Sequence, residues 1–278
     1  MALALRLPIL PVHARRAEQD AIILASPRND PFDFAHRKHW GPRARWLLSA
    51  VLAQCRLRRD GEIAILTTSD WTYVSTCLSV TAFNFSRISR VVTEQTRVVI
   101  VDHEFGYVYR DIAARAREWK ERGIVVIEDC AQLIGLSVGD ARVGSFGDFA
   151  LFSLSKLFPT PVGGLLLTNR PFTPPEMTGE EKAATATGIA AAEKYLPHHQ
   201  WFSAGRLERH RLIKEGCSGG VWEPSPEAIP FATYVRKRDD ERAPDGVEFL
   251  STLSNEYRLV PTNPLVDADT FRDIAQYL

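Results

Sequence analysis

Short runs of apolar residues alternate with longer helical segments over the first 170 residues. The runs are EIAIL (62–66), RVVIVDHEFG (97–106), IVVIED (124–129), FALFS (149–153) and GLLLT (164–168). They lack the in-out alternation of a strand with one wet face, and strands buried on both faces are typical of a parallel sheet covered by helices. The pattern therefore predicts an α/β fold with a mainly parallel central sheet flanked by helices.

The segments between these runs have helical spacing. Residues 41–59 place Trp46, Leu47, Val51 and Leu52 on one helical face, and Pro42 suits a first helical position. A second helix is predicted over 72–83, and an amphipathic helix over 111–123. This last helix lies between two apolar runs, so it forms a βαβ unit with them.

The character of the chain changes after Arg170. A proline-rich connection leads to predicted helices over 179–195 and 203–215. Strand-like FATYVRKR (231–238) and YRLVP (257–261) follow, and Asp267 is a plausible cap for a final helix. We expect a large α/β domain over residues 1–215 and a small C-terminal α+β domain over residues 216–278.

Composition narrows the function classes. The chain has 278 residues with 34 basic and 34 acidic side chains, so it offers no net charge to attract nucleic acid or an anionic membrane. The four cysteines form no C-x-x-C pair, which argues against a disulfide framework and a metal site. No export signal and no membrane-length apolar run is evident, so a cytoplasmic location is expected.

Two charged residues follow apolar strands, where ligands bind in open α/β sheets. Asp129 ends the run IVVIED, and a carboxylate there either caps the next helix or pairs with a cationic group such as a protonated pyridine nitrogen. Lys156 ends FALFSLSK, where desolvation favours the neutral amine that attacks an aldehyde. A solvated surface lysine is the alternative.

The neighbours of Lys156 favour a functional role. Ser153 and Ser155 supply hydroxyl groups suited to phosphate oxygens, and Gly163-Gly164 permits a close backbone approach. Ser-x-x-Lys also occurs in penicillin-binding enzymes, but the S-D-N and K-T-G motifs that accompany it there are missing from this sequence.

A longer pattern surrounds these residues. The stretch VVIEDCAQLIGLSVGDARVGSFGDFALFSLSKLFPTPVGGLLLTN (125–169) resembles the core of the DegT/DnrJ/EryC1/StrS family, the pyridoxal-phosphate sugar aminotransferases of fold type I. The resemblance implies that Asp129 pairs with the pyridine nitrogen and that Gln132 lies near the phenolic oxygen of pyridoxal phosphate. It also implies that Ser153 holds the phosphate and that Lys156 forms a Schiff base.

Weaker likenesses extend this pattern. Within TTSDWTYVSTCLSV (67–80), Tyr73 is the predicted aromatic on the cofactor ring, with Trp71 in reserve; both are alternatively core residues. His103 stands in a V-x-H-x-x-G-like turn, and either borders the site or only holds that turn. Gly41 and Arg43 open the first long helix where the family places a phosphate-binding helix N-terminus.

The resemblance implies an enzyme that takes an amino group, with glutamate the expected donor, and passes it to a keto-sugar, expected to be nucleotide-linked. It also implies a homodimer. The alternative is a non-catalytic cofactor-binding or regulatory relative, which the shortness of the chain and the poor match of residues 171–256 favour. A sugar dehydratase is less favoured, because such relatives have histidine in place of this lysine.

Overall fold

The computed structural model describes residues 10–14, 17–34, 37–58, 60–69, 75–237, 256–276 and 278. The strands in this part of the chain are β1 (Arg37–Gly41), β2 (Glu62–Thr67), β3 (Arg87–Ser89), β4 (Thr96–Asp102), β5 (Val125–Asp129), β6 (Ser137–Val138), β7 (Ala141–Arg142), β8 (Phe149–Ser153), β9 (Gly164–Thr168), β10 (Val221–Trp222), β11 (Ala232–Arg236) and β12 (Tyr257–Pro261). The helices are α1 (Pro11–Ala14), α2 (Ala17–Ala25), α3 (Ala44–Gln54), α4 (Thr76–Phe83), α5 (Ile112–Glu121), α6 (Leu154–Leu157), α7 (Gly179–Tyr195), α8 (His199–Gly216) and α9 (Ala268–Ala275). Glu104–Gly106 and Leu196–His198 are single 3₁₀ turns.

A seven-stranded sheet organises the large part of the molecule. Its strand order is β1-β9-β8-β5-β4-β2-β3. Strands β3, β2, β4, β5 and β8 are parallel neighbours, whereas β9 pairs antiparallel with both β8 and β1. The prediction of an α/β fold with a mainly parallel central sheet is thus confirmed.

Residues of the central strands alternate between two hydrophobic clusters, one on each face of the sheet. Val99, Val101 and Val126 belong to one cluster. Ile100 and Ile127 belong to the other, which is closed by apolar side chains of α3 and α4. Successive strand residues point to opposite faces. The next residues on the second face are Asp102 and Asp129, at the carboxyl ends of β4 and β5.

Gly163 and Gly164 bring the start of β9 against the start of α3. A Cβ atom on Gly164 would lie 2.5 Å from the Ala44 nitrogen and the Arg43 carbonyl carbon, and Gly163 has a φ of +112°. The Gly163 N–H donates to the Pro42 carbonyl at 2.8 Å. A side chain at residue 164 would therefore push α3 away from the sheet.

The C-terminal part contains the three-stranded antiparallel sheet β10-β11-β12 and helix α9. Its hydrophobic core includes Phe271 and Ile274 of α9, and also Leu212 and Ile213 of α8. The end of α8 therefore packs with the small sheet. The division at residue 216 stays a prediction.

Most sequence-predicted elements occur close to their expected positions, but the first long helix is shorter than expected. Predicted strands 149–153, 164–168 and 257–261 and helix 179–195 have the observed bounds. Helix α3 begins at Ala44 rather than at Gly41, because Gly41 ends β1 and Arg43 is extended, with φ −157° and ψ 154°. The Asp267 side chain caps α9 as predicted, accepting from the Thr270 N–H at 3.0 Å.

Among the described helices, none is both long enough and apolar enough to span a bilayer.

Candidate active site

A cavity of about 330 Å³ opens at the carboxyl ends of the parallel strands. It lies where β5 and β8 end and where α3 and α4 begin. This is the position at which open α/β sheets bind ligands. Five sequence-predicted residues are brought together there: Asp129, Ser153, Ser155, Lys156 and Arg43.

Asp129 presents a buried carboxyl group to this cavity. Its residue is 9% exposed, and its Oδ1 accepts a hydrogen bond from the Ala131 N–H at 2.9 Å. No helix follows directly, so the capping alternative reduces to this local turn. Burial raises the pKa of Asp129, while Lys156, the Ala131 N–H and His103 act in the opposite direction. A cationic group next to Asp129 would therefore stabilise its carboxylate form.

Lys156 lies on α6, the single helical turn that follows β8. The residue is half-buried, lines the cavity, and is close enough to Asp129 to stabilise its negative charge. The Arg206 guanidinium of α8 donates to the Lys156 carbonyl at 2.7 Å and stacks on the Phe231 ring at 4.8 Å. This contact fixes the backbone of the lysine from a helix that the sequence motif does not include.

Hydroxyl and cationic groups share the other part of the cavity. The Oγ atoms of Ser153 and Ser155 are 3.4 Å apart. Arg43 and Arg45 lie at the start of α3, facing Ser75, the N-cap residue of α4. Serine hydroxyls, guanidinium groups and free N–H groups at helix starts all bind phosphate oxygens.

Gln132 and His103 lie next to the cavity without lining it. The Gln132 Oε1 accepts from the Phe105 N–H at 3.0 Å. His103 accepts from the Tyr109 N–H through Nδ1 at 3.1 Å, and its Nε2 is 3.2 Å from Glu128 Oε2. Both side chains thus hold the turn after β4, and their roles toward a cofactor stay predictions.

Glu128 is fully buried on the face opposite Asp129. Its carboxylate accepts from the Gly144 N–H at 2.9 Å, from the Gly147 N–H at 2.6 Å, and from His103. His103, Glu128 and Cys130 offer ligand atoms within 4.8 Å of one another. The histidine nitrogens and the glutamate oxygens already have protein partners, so this cluster is a hydrogen-bonded brace.

Two further acids, Asp102 and Glu104, lie near the cavity end of β4 and were missed by sequence reasoning. Asp102 is the Cα partner of Asp129 across β4 and β5. Burial and the neighbouring Asp129 and Glu104 raise its pKa well above the ordinary value. Glu104 accepts from Ser69 through both the N–H and the hydroxyl. Burial raises the pKa of Glu104, while Ser69, Tyr234 and Arg90 act in the opposite direction. An aspartate directly before His103 was visible in the sequence, but its partner strand was not.

The predicted ring-stacking residues Tyr73 and Trp71 lie outside the described residues. Gly41 does not line the cavity; it ends β1, paired with Gly164. Arg45, Ser75 and Cys77 line the cavity although no sequence motif marked them. Arg45 Nη2 is 2.6 Å from the Cys77 sulfur.

Comparison with known proteins finds a family similar to this part of the chain. Residues 70–200 match the model of the DegT/DnrJ/EryC1/StrS aminotransferase family. The match covers a little less than half of the chain, and over this stretch the chain is similar to that family. The match contains Asp129, Gln132, Ser153 and Lys156.

Individual relatives match over shorter stretches. GDP-perosamine synthase of Vibrio cholerae is 33% identical over 84 residues, which are 30% of this chain and 23% of that protein. A pleiotropic regulatory protein of Geobacillus stearothermophilus is 37% identical over 90 residues, again 30% of this chain and 23% of that protein. The aligned stretch thus spans less than a quarter of these curated relatives.

The structural likeness is more extensive. The putative sugar aminotransferase Spr1654 of Streptococcus pneumoniae, in its PMP form, superposes with a TM-score of 0.71 at 13% identity. The alignment covers 98% of this chain and 96% of that chain. At this identity the likeness establishes the fold, which is that of the pyridoxal-phosphate-dependent aminotransferases.

The cavity suits the cofactor of DegT/DnrJ/EryC1/StrS aminotransferases. Pyridoxal phosphate carries an aldehyde, a basic ring nitrogen and a phosphate. Lys156 offers an amine, and Ser153 and Ser155 offer a pair of hydroxyl groups. Asp129 offers a buried carboxylate that is hydrogen-bonded to no cation among the described residues. Each of the three functional groups of the cofactor therefore has a chemical partner on the cavity wall.

Proposed function

We propose that this protein is a pyridoxal-phosphate-dependent aminotransferase that acts on a keto-sugar. The observation that carries the proposal is the convergence of Lys156, Asp129 and the Ser153–Ser155 pair on one cavity. The match of residues 70–200 to the aminotransferase family model supports it. The activity and the substrates of the whole protein are part of the proposal, because the aligned stretch covers 23% of the perosamine synthase and 23% of the pleiotropic regulatory protein.

Each of these residues has one expected task at the cofactor. Lys156 would attach it covalently through its amine, and Asp129 would face its ring nitrogen. Ser153, Ser155, Arg43 and the start of α3 would hold its phosphate. When bound, pyridoxal phosphate supplies an electron sink that stabilises negative charge on the α-carbon of an amino acid.

The amine of Lys156 also provides the proton transfer of the reaction. With the cofactor and a donor amino acid bound, the Nζ atom of Lys156 would be the group in this cavity that takes the proton from the donor α-carbon and holds it for return. The hydrogen bond from Arg206 to the Lys156 carbonyl restricts the backbone, so that the Nζ atom returns to the same place.

Glutamate is the proposed donor, from the family likeness. A nucleotide-linked keto-sugar is the proposed acceptor, supported by the perosamine synthase and the sugar aminotransferase to which the chain is similar. A homodimer is proposed on the same ground. The molar mass of the protein in solution, measured by light scattering, tests this proposal.

The single-turnover reaction tests the proposed activity. Protein loaded with pyridoxal phosphate is mixed with L-glutamate, and 2-oxoglutarate and pyridoxamine phosphate are measured by mass spectrometry. We expect equal amounts of both products, and none from Lys156→Ala. Addition of nucleotide-linked keto-sugars should then restore pyridoxal phosphate.

A regulatory, non-catalytic role is the second candidate, favoured by the match to the pleiotropic regulatory protein. It predicts that the cofactor binds in a Lys156-dependent manner while no amino acid of a donor panel releases a keto acid. The single-turnover measurement therefore separates the two functions.

A further inference from the structure

The carboxyl ends of β2, β4 and β5 place three side chains in one row on the cavity face of the sheet. Thr67 is the Cα partner of Asp102, and Asp102 is the partner of Asp129. Register partners on parallel strands point to the same face, and neighbouring strands lie about 4.8 Å apart. Asp102 and Asp129 are thus adjacent carboxyl groups, and both are more than nine-tenths buried.

Several ionisable groups of other elements face this pair. From the described residues they are Glu104 and His103 after β4, Cys130 after β5, Lys156 on α6, Arg90 after β3, and Tyr234 on β11. The buried Cys130 thiol and Tyr234 hydroxyl stay protonated, because burial and the nearby acids raise the pKa of each.

The charges of the described groups that act on this pair do not balance. Asp102, Asp129 and Glu104 would carry three negative charges, against the two cations Lys156 and Arg90. Arg90 is also exposed and donates to the Thr67 hydroxyl at 3.0 Å, so it offsets less charge than a buried cation would. A buried cluster with excess negative charge retains a proton instead.

Hydrogen bonding decides which acid keeps the proton. Asp129 accepts from the Ala131 N–H, and Glu104 accepts from the N–H and the hydroxyl of Ser69, so both carboxylates are stabilised as anions. The Asp102 carboxyl group accepts no hydrogen bond from any residue that the structure describes, and the negative charges of both Asp129 and Glu104 act on it.

We propose that Asp102 is a positioning residue that holds the proton retained by this acid cluster, leaving Asp129 as the charged group that faces the cavity. Asp129 then stays a carboxylate, and its negative charge favours a cationic ring nitrogen placed next to it. The inference rests on the proposed function only in this last step. The protonation of Asp102 belongs to the protein itself.

Carbon-13 NMR of the full chain with labelled aspartate tests the proposal without added cofactor. The side-chain carboxyl signals are assigned by their loss in Asp102→Asn and in Asp129→Asn, with Asp102→Glu as a second assignment variant should the first fail to fold. At neutral pH we expect Asp102 at the shift of a carboxylic acid and Asp129 at the shift of a carboxylate. Two carboxylate shifts, or the reverse assignment, would overturn the proposal.

Unfolding by urea provides a second readout. The fold favours protonated Asp102, so the unfolded chain loses this proton first as pH rises. Stability should therefore fall from about pH 4 upward until folded Asp102 also ionises. Asp102→Asn should flatten this fall, whereas Asp140→Asn, at an exposed turn, should leave it unchanged. An unaltered pH slope in Asp102→Asn counts against the proposal.

Addition of pyridoxal phosphate separates this inference from the proposed function. We expect the Asp129 signal to move while Asp102 stays protonated. If Asp102 is protonated but the cofactor moves neither signal, the inference stands and the cofactor assignment fails.

Discussion

Glu128 and Asp129 are consecutive residues whose carboxyl groups lie on opposite faces of the central sheet. Glu128 is fully buried and accepts hydrogen bonds from His103 and from two backbone N–H groups of the loop before β8. Asp129 faces the cavity and accepts one from Ala131. Because side chains alternate between the faces of a β-strand, Glu128 stabilises the fold on one face while Asp129 faces the cavity on the other.

This separation predicts opposite results for two similar substitutions. Glu128→Gln should lower the free energy of unfolding by about 1–3 kcal/mol, because the amide nitrogen of glutamine cannot accept the hydrogen bond that one Glu128 oxygen accepts from a backbone N–H. Asp129→Asn should retain the fold but lower the rate of the half-reaction with glutamate at least about 100-fold, since a neutral amide cannot keep the ring nitrogen protonated. Urea unfolding and single-turnover kinetics check both, and Asp129→Glu should recover part of the rate. Equal loss of stability in both variants would refute the separation.

Gly164 should tolerate no side chain. In Gly164→Ala the new Cβ would lie 2.5 Å from backbone atoms of Arg43 and Ala44, so α3 must move. We expect a stability loss of about 1–3 kcal/mol and weaker cofactor binding.

Gly179→Ala is the matched control for this change, because nothing lies within 4 Å of its Cβ position at the start of α7. It should be neutral or slightly stabilising. If Gly164→Ala and Gly179→Ala changed the midpoint of urea unfolding equally, the close approach of β9 and α3 would be contradicted.

Arg206 should contribute to the position of Lys156. Arg206→Met removes the donor to the Lys156 carbonyl and should cost about 1–3 kcal/mol, since a carbonyl loses its partner. Slower covalent attachment of the cofactor is the expected functional effect. Arg211→Met, on the exposed side of α8 where Arg211 pairs with Glu215, is the control. A normal attachment rate in Arg206→Met would exclude the positioning role.

Ser153 should recognise the phosphate group rather than the ring. Ser153→Ala is expected to weaken pyridoxal phosphate binding about 10- to 100-fold, which corresponds to the loss of one hydrogen bond to a charged group. Pyridoxal, which has no phosphate, should bind both forms equally in spectral titrations. A similar loss for both ligands would place Ser153 elsewhere in the site.

The sequence was most informative where the site is contiguous. Asp129, Ser153 and Lys156 lie within one segment, and the strands that carry them are short apolar runs with recognisable ends. Strands β8 and β9 were predicted to the residue because a sheet buried on both faces excludes polar side chains.

The remaining features depend on pairing between distant segments. Strand β1 was not predicted, because RKHWG becomes a strand only by pairing with β9 more than 120 residues later. Asp102 became a neighbour of Asp129 through the adjacency of β4 and β5, and Arg206 reached Lys156 from α8. No local pattern marks such contacts.

Covalent attachment at Lys156 is the central claim, and sodium borohydride trapping tests it most directly. The protein is incubated with pyridoxal phosphate, its visible absorption is recorded, and the reduced protein is digested and sequenced by mass spectrometry. We expect a visible band, and after reduction a pyridoxyl adduct on Lys156, with both lost in Lys156→Ala. A band that persists in Lys156→Ala, an adduct on another lysine, or no adduct at all would contradict the account.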